Sequence, residues 1–171
     1  MDRQLTIPID SVAGRAQSAL VDVLAVAGLM TLGAWIRLPL PFTPVPLTLQ
    51  TLPVLVAAFL VGRNRAMAGA LLYMVLGLAG APVLAVGATF GVTFGYLVGF
   101  AAAPWVSVRF RSPLAGLAVA TAVILGMGAA WLSLITGCSP VDAVRLGALP
   151  FVPGDLFKAV VAYAIIRGTR A

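Results

Sequence analysis

The sequence predicts an all-α integral membrane bundle of six transmembrane helices, with the N- and C-termini cytoplasmic, and three observations predict it. Of the 171 residues, 61% are hydrophobic and 9% charged, against about 45–50% and about 25% in ordinary soluble domains. A soluble fold of this size would lack the polar residues to cover itself. The apolar runs are long and do not alternate, which suits spanning helices of about 20 residues and not the short segments of a barrel. Arginines also gather at alternate ends of these runs, as they do when one side of the membrane holds the excess of positive charge. There is room for one membrane domain covering residues 1–171 and for no separate soluble domain.

The first span is read at residues 18–36, after a segment carrying Asp2, Arg3, Asp10 and Arg15. It lies too late in the chain for a cleaved signal peptide. Residues 37–46 (RLPLPFTPVP) hold four prolines, which impose an extended backbone and make a stiff loop. A second span follows at 47–62 and ends on Arg63-Asn64-Arg65. The third, at 67–78, is short for a full crossing. An uncharged Gly- and Pro-containing loop occupies 80–90, the fourth span runs over 91–108 up to Arg109 and Arg111, and the fifth covers 113–135. Ser139-Pro140-Val141-Asp142 has the form of a helix start, with a serine cap, proline in the first turn and an acid three residues on. It predicts a short surface helix closing near Gly147, before the last span at 152–166.

With the N-terminus inside, Arg3, Arg15, Arg63, Arg65, Arg109, Arg111, Arg167 and Arg170 all fall inside, leaving Arg37 and Arg145 outside. An odd miscount of spans before the middle of the chain would scatter them to both sides. The arrangement places the protein in the cytoplasmic membrane as a multi-pass chain. The net charge of +6 therefore speaks for topology and not for nucleic acid, since no stretch sets several basic residues among aromatics on a polar surface. Packing signals agree with a compact bundle. Gly91, Gly95, Gly99 and Ala103 recur every four residues, as do Ala118, Ala122, Gly126 and Ala130. Such stripes let membrane helices approach closely and can also meet partner helices.

The candidate functional residues lie at the outer end of the last span, in PFVPGDLFK (150–158). Lys or Asp near the centre of a spanning helix costs about 2.5–3.5 kcal/mol to insert, so such residues tend to face a bundle interior. At spacing i, i+3, Asp155 and Lys158 share a helix face that continues at Ala162. One reading has them pair with each other near the interface, Lys158 reaching outward. The other has them line an outward-facing pocket, Lys158 binding a carboxylate or carbonyl and Asp155 accepting from ligand N–H groups, aided by the nearby helix N-terminus. Tyr73, Thr93, Phe94 and Tyr96 are candidate contacts from the same outer half, since aromatics with a polar tip suit a flat, mostly apolar ligand; plain core packing is the competing reading for each. Asp22 is open to two readings, a partner contact or an interfacial charge near Arg15. Arg37 lies near a pocket mouth or is merely an exposed loop charge, and Gln50 can hydrogen-bond within the second span.

Catalysis finds little support. With no histidine and no glutamate, nucleophile–histidine pairs and the usual metal sets are missing, the lone Cys138 has no adjacent base, and there is no phosphate-binding Gly-x-x-x-x-Gly-Lys-Ser/Thr loop. No cofactor is expected. A membrane enzyme or an assembly subunit is the competing class.

Four stretches, PVPLTLQTL (44–52), YMVLGLAGAPV (73–83), GVTFGYLVGF (91–100) and LPFVPGDLFK (149–158), come in an order and at separations that resemble BioY, the biotin-binding S component of energy-coupling factor transporters. The resemblance runs from about Leu20 onward. It implies a six-helix subunit that captures biotin from outside and works with a transmembrane coupling subunit and paired cytoplasmic ATP-binding cassette ATPases. It implies further that Asp155 and Lys158 hold the ligand, and that residues 37–46 and 80–90 cover it. An S component for a different small vitamin is the alternative. One departure is the first helix, where the Ala-x-x-x-Ala docking motif has only near matches, Gly14/Ser18 and Ala27/Thr31.

Overall fold

In the computed structural model, residues 9–84 and 91–169 are described, with side chains from Gly14 onward. Seven α-helices are found among them: α1 (Ile9–Trp35), α2 (Thr51–Leu60), α3 (Arg63–Leu78), α4 (Phe94–Ser107), α5 (Pro113–Thr136), α6 (Pro140–Gly147) and α7 (Val152–Gly168). A two-stranded ribbon, β1 (Arg37–Leu38) with β2 (Leu47–Thr48), lies between α1 and α2, and a single 3-10 turn (Leu149–Phe151) leads into α7. Asp2, Arg3, Arg170 and residues 85–90 of the expected loop lie outside the described residues.

The helix starts depart from the apolar runs at two places, each for a local reason. α1 begins at Ile9, ahead of the expected span, because a helix continues through polar residues that the apolar run does not include. α2 begins at Thr51 and not at 47, because residues 47–48 pair with β1 in antiparallel register, Arg37 opposite Thr48. The Leu49 N–H then donates to the carbonyls of Gly33 and Ile36, both at 3.1 Å, which satisfies groups left open at the end of α1. At ten residues, α2 is about 15 Å long, short of the roughly 30 Å hydrocarbon core. Gly62, with φ of 86°, turns the chain directly into α3, so Arg63-Asn64-Arg65 forms the first turn of a helix. The expected surface helix is present as α6: the Ser139 hydroxyl accepts from Asp142 N at 3.1 Å, and Pro140 opens the helix.

Among the described residues, three segments are long and apolar enough to cross a membrane, Gly14–Trp35, Pro113–Thr136 and Pro140–Gly168, and α2 and α4 are shorter apolar helices. Large apolar side chains such as Leu24, Trp35, Leu134, Leu156 and Phe157 project outward and are exposed, while Met30, Leu55, Tyr73, Leu117, Ile124 and Ile166 fill the interior. An outer surface of that kind calls for a hydrocarbon surrounding.

Helix α4 makes its most extensive contact with α5. Its small residues are the reason: a Cβ placed on Gly95 would lie 2.3 Å from the Cβ of Trp131, and one on Gly99 only 2.9 Å from Ile124 Cα. On α5 the packing face differs from the expected one. Ala118, Ala122, Gly126 and Ala130 are exposed, whereas Gly116, Ala120, Ile124 and Gly128 are buried. The two sets are offset by two positions, about 200° around a helix, and both have four-residue spacing with small members. Spacing alone does not separate them. Asp22 of α1 is joined to Arg65 of α3.

Candidate functional site

Residues 39–46 carry the chain from β1 back to β2, where Leu47 lies against Gly154 in the first turn of α7. Thr43 ties this loop to α6, its hydroxyl donating to Leu146 O at 2.6 Å and accepting from Val45 N at 3.2 Å. Val45 is buried beneath it. Under the loop lies a cavity with about 510 Å³ of unfilled space, of which about 50 Å³ can hold the centre of a water molecule. The larger figure includes open solvent, and the smaller lies well below the size of small-molecule pockets, about 300–1,000 Å³. The smaller one means that a ligand enters only as the walls part.

One pole of the cavity is polar. Pro153 opens α7 and brings Asp155 into its first turn, where the helix field favours a carboxylate. Lys158 follows one turn later. Both are buried, at 3% and 5% relative exposure, and both line the cavity. They are also paired, Lys158 Nζ donating to Asp155 Oδ1 at 2.6 Å. The same ammonium donates to Thr48 O at 2.8 Å and to the Thr51 hydroxyl at 3.3 Å. An ammonium has three N–H donors, so all three are engaged. The two sequence readings thus combine: the pair is closed on itself and faces a cavity, and Lys158 does not reach outward. Asp155 Oδ2 has no hydrogen bond among the described residues.

Gln50 stands at the same pole. Its amide donates to the Tyr73 hydroxyl, and its carbonyl oxygen accepts from the Thr48 hydroxyl at 3.0 Å. Gly33 makes room for this junction, since a Cβ there would meet Gln50 N at 2.9 Å. Opposite the polar pole the walls are apolar, with Phe100, Ile124, Leu125 and Phe151.

The sequence candidates divide. Asp155, Lys158, Thr93 and Tyr96 line the cavity; Tyr73 and Phe94 do not. Tyr73 is fully buried behind Gln50, which it orients. Phe94 packs on Trp131, ring centroids 5.1 Å apart. Tyr96 presents its ring to the cavity and spends its hydroxyl on the Gly147 carbonyl. Thr93 Oγ1 is buried without a hydrogen-bond partner, beside the cavity, where a ligand group can satisfy it. Thr121 Oγ1 is likewise unpartnered, and nothing in the structure explains it. Sequence reasoning from residue chemistry missed Thr48, Thr51 and the cavity role of Gln50; three polar residues within four positions at the head of an apolar helix were the available signal.

The chain matches the model of the BioY family over residues 6–171. It is 35% identical over 133 residues to a probable biotin transporter BioY of Pyrococcus horikoshii, covering 71% of this chain and 78% of that one. A biotin transporter BioY of Rhodobacter capsulatus is 34% identical, with 84% and 88% covered, and one of Thermotoga maritima 32%, with 80% and 86%. Among solved structures, the S-component for biotin from an ECF-type ABC transporter superposes with a TM-score of 0.80 over 92% of this chain and 93% of that one. At 22% identity, this last likeness speaks for the fold alone.

Proposed function

The chain belongs to the BioY family, and on that premise we propose that it is the biotin-capturing S component of an energy-coupling factor transporter. One observation carries the reading: a buried, mutually paired Asp155 and Lys158 facing a cavity that is otherwise largely apolar. Biotin is a compact bicycle with a ureido edge, which offers N–H donors and one carbonyl oxygen and carries no charge. A neutral ion pair matches such an edge. Asp155 Oδ2 accepts a ureido N–H, and the ureido oxygen competes for the ammonium with the Thr51 hydroxyl, which holds the longest of its three bonds. The bicycle's hydrocarbon and sulfur face then rests on Tyr96, Phe100 and Ile124.

The transport setting follows the same premise. Six spans cross the cytoplasmic membrane, with both termini inside and the loop over residues 37–46 outside, in keeping with the arginine distribution. The cavity then opens to the exterior. A transmembrane coupling subunit and paired cytoplasmic ATPases supply the driving force, since this sequence carries no phosphate-binding loop.

Isothermal titration of biotin into the detergent-solubilised chain tests the proposal, with thiamine and riboflavin as comparisons. The expected result is a single biotin site, no heat from the other vitamins, and at least about a tenfold weaker site in Asp155→Asn, the scale of one hydrogen bond to a charged group. No biotin binding, or unchanged affinity in Asp155→Asn, overturns the function or the site respectively.

A further inference from the structure

Biotin carries a carboxylate at the end of its side chain, and the cavity offers it no free cation. Lys158 is the only basic residue among those lining it, and its three N–H groups are all accepted by the protein. Together with Asp155 it leaves the polar pole with no net charge. Placing a second carboxylate there would set two negative groups around one ammonium in a site removed from water, an arrangement that low-dielectric surroundings penalise.

The next cation outward is Arg37. It lies directly opposite Thr48 in the β1–β2 ribbon, and opposing residues of an antiparallel pair project to the same side. Thr48 itself lines the cavity, so Arg37 flanks the cavity's rim. Its side chain is exposed and has no hydrogen bond or ion pair among the described residues. A shallow crevice of about 320 Å³ runs from Arg37 past Pro39, Leu40 and Thr43 to Pro46, and Pro46 also belongs to the cavity wall. The crevice and the cavity thus meet at one residue.

From this adjacency we infer that Arg37 is a specificity-determining contact: the ligand's side chain leaves the cavity past Pro46, and its carboxylate binds the Arg37 guanidinium at the mouth. The polar pole then reads the uncharged head of the molecule and the rim reads its charge. This inference rests on the biotin reading. It assigns the carboxylate to Arg37 and not to Lys158, and it makes free carboxylic acids better ligands than their amides.

The experiment titrates biotin and uncharged biotinamide into the solubilised wild-type chain and into Arg37→Gln, an exposed position where the change leaves the interior untouched. Wild type is expected to prefer biotin by about fivefold, the upper end for an exposed ion pair. The preference should shrink at high salt. Arg37→Gln should lose it, binding biotin about fivefold more weakly and biotinamide as before. Equal preference in wild type and Arg37→Gln places the carboxylate elsewhere and overturns the inference, as does a wild type that binds both compounds equally. If the wild type binds neither compound, the biotin reading itself falls, a result distinct from the other two.

Discussion

Lys158 joins three separate segments, α7 through Asp155, β2 through the Thr48 carbonyl and the start of α2 through Thr51. No neutral side chain of similar size supplies three donors from one atom. Its removal also strands Asp155, because a buried carboxylate without its partner costs about 3–5 kcal/mol. Lys158→Met should therefore unfold in detergent at a distinctly lower temperature than the double variant Asp155→Asn/Lys158→Met, in which no charge is left unpaired. Equal unfolding temperatures would mean that the pair is not a closed unit. Gln50 and Thr93 act on a smaller scale. The first is held in place by Tyr73 and Thr48, while the second keeps an unmatched hydroxyl at the cavity edge.

Among the elements, the contact of α4 with α5 gives the apolar wall its shape. Tyr96 reaches the cavity by lying across Gly128, where an added Cβ would come within 2.2 Å of its ring, and by bonding to the carbonyl of Gly147 in α6. Gly128→Ala has no flexible chain end to push aside and must move the ring itself. We expect it to cost about 1–3 kcal/mol, the scale of overpacking, and to weaken ligand binding with it. Gly126→Ala, two positions away on the exposed face with nothing within 4 Å of the new atom, should change stability by less than about 0.5 kcal/mol. Thermal unfolding of the two variants side by side decides; a Gly126→Ala loss as large as that of Gly128→Ala would mean that α5 packs on its other face.

For the whole molecule, the question is orientation. Arg63, Arg65, Arg109, Arg111 and Arg167 belong to one end of the proposed bundle, and Arg37 and Arg145 to the other. Their balance sets which end remains in the cytoplasm. Arg111 and Arg145 are both exposed, so each can be replaced by cysteine in a Cys138→Ser background. In intact cells a membrane-impermeant maleimide should label Arg145→Cys at once and Arg111→Cys only after permeabilisation. Labelling of both without permeabilisation, or the reverse order, would contradict the proposed topology. The same orientation puts the cavity and Arg37 on the side from which a vitamin arrives.

Much of this was legible in the residues alone. Membrane residence follows from composition, and the run of helices follows from apolar lengths, because a bilayer makes both a matter of local chemistry. The i, i+3 acid and lysine in apolar sequence marked the candidate site, since ionisable groups are rare there without cause. Tertiary structure decided the rest. It turned residues 47–48 into strand by giving them β1 as a partner, chose between two equivalent small-residue faces on α5, and brought Thr48 and Thr51 across sequence separations of 110 and 107 to the Lys158 ammonium, with Gln50 lining the same cavity. Those outcomes depend on which surfaces meet, and a one-dimensional pattern of residue types specifies what each surface is made of without specifying which one it meets.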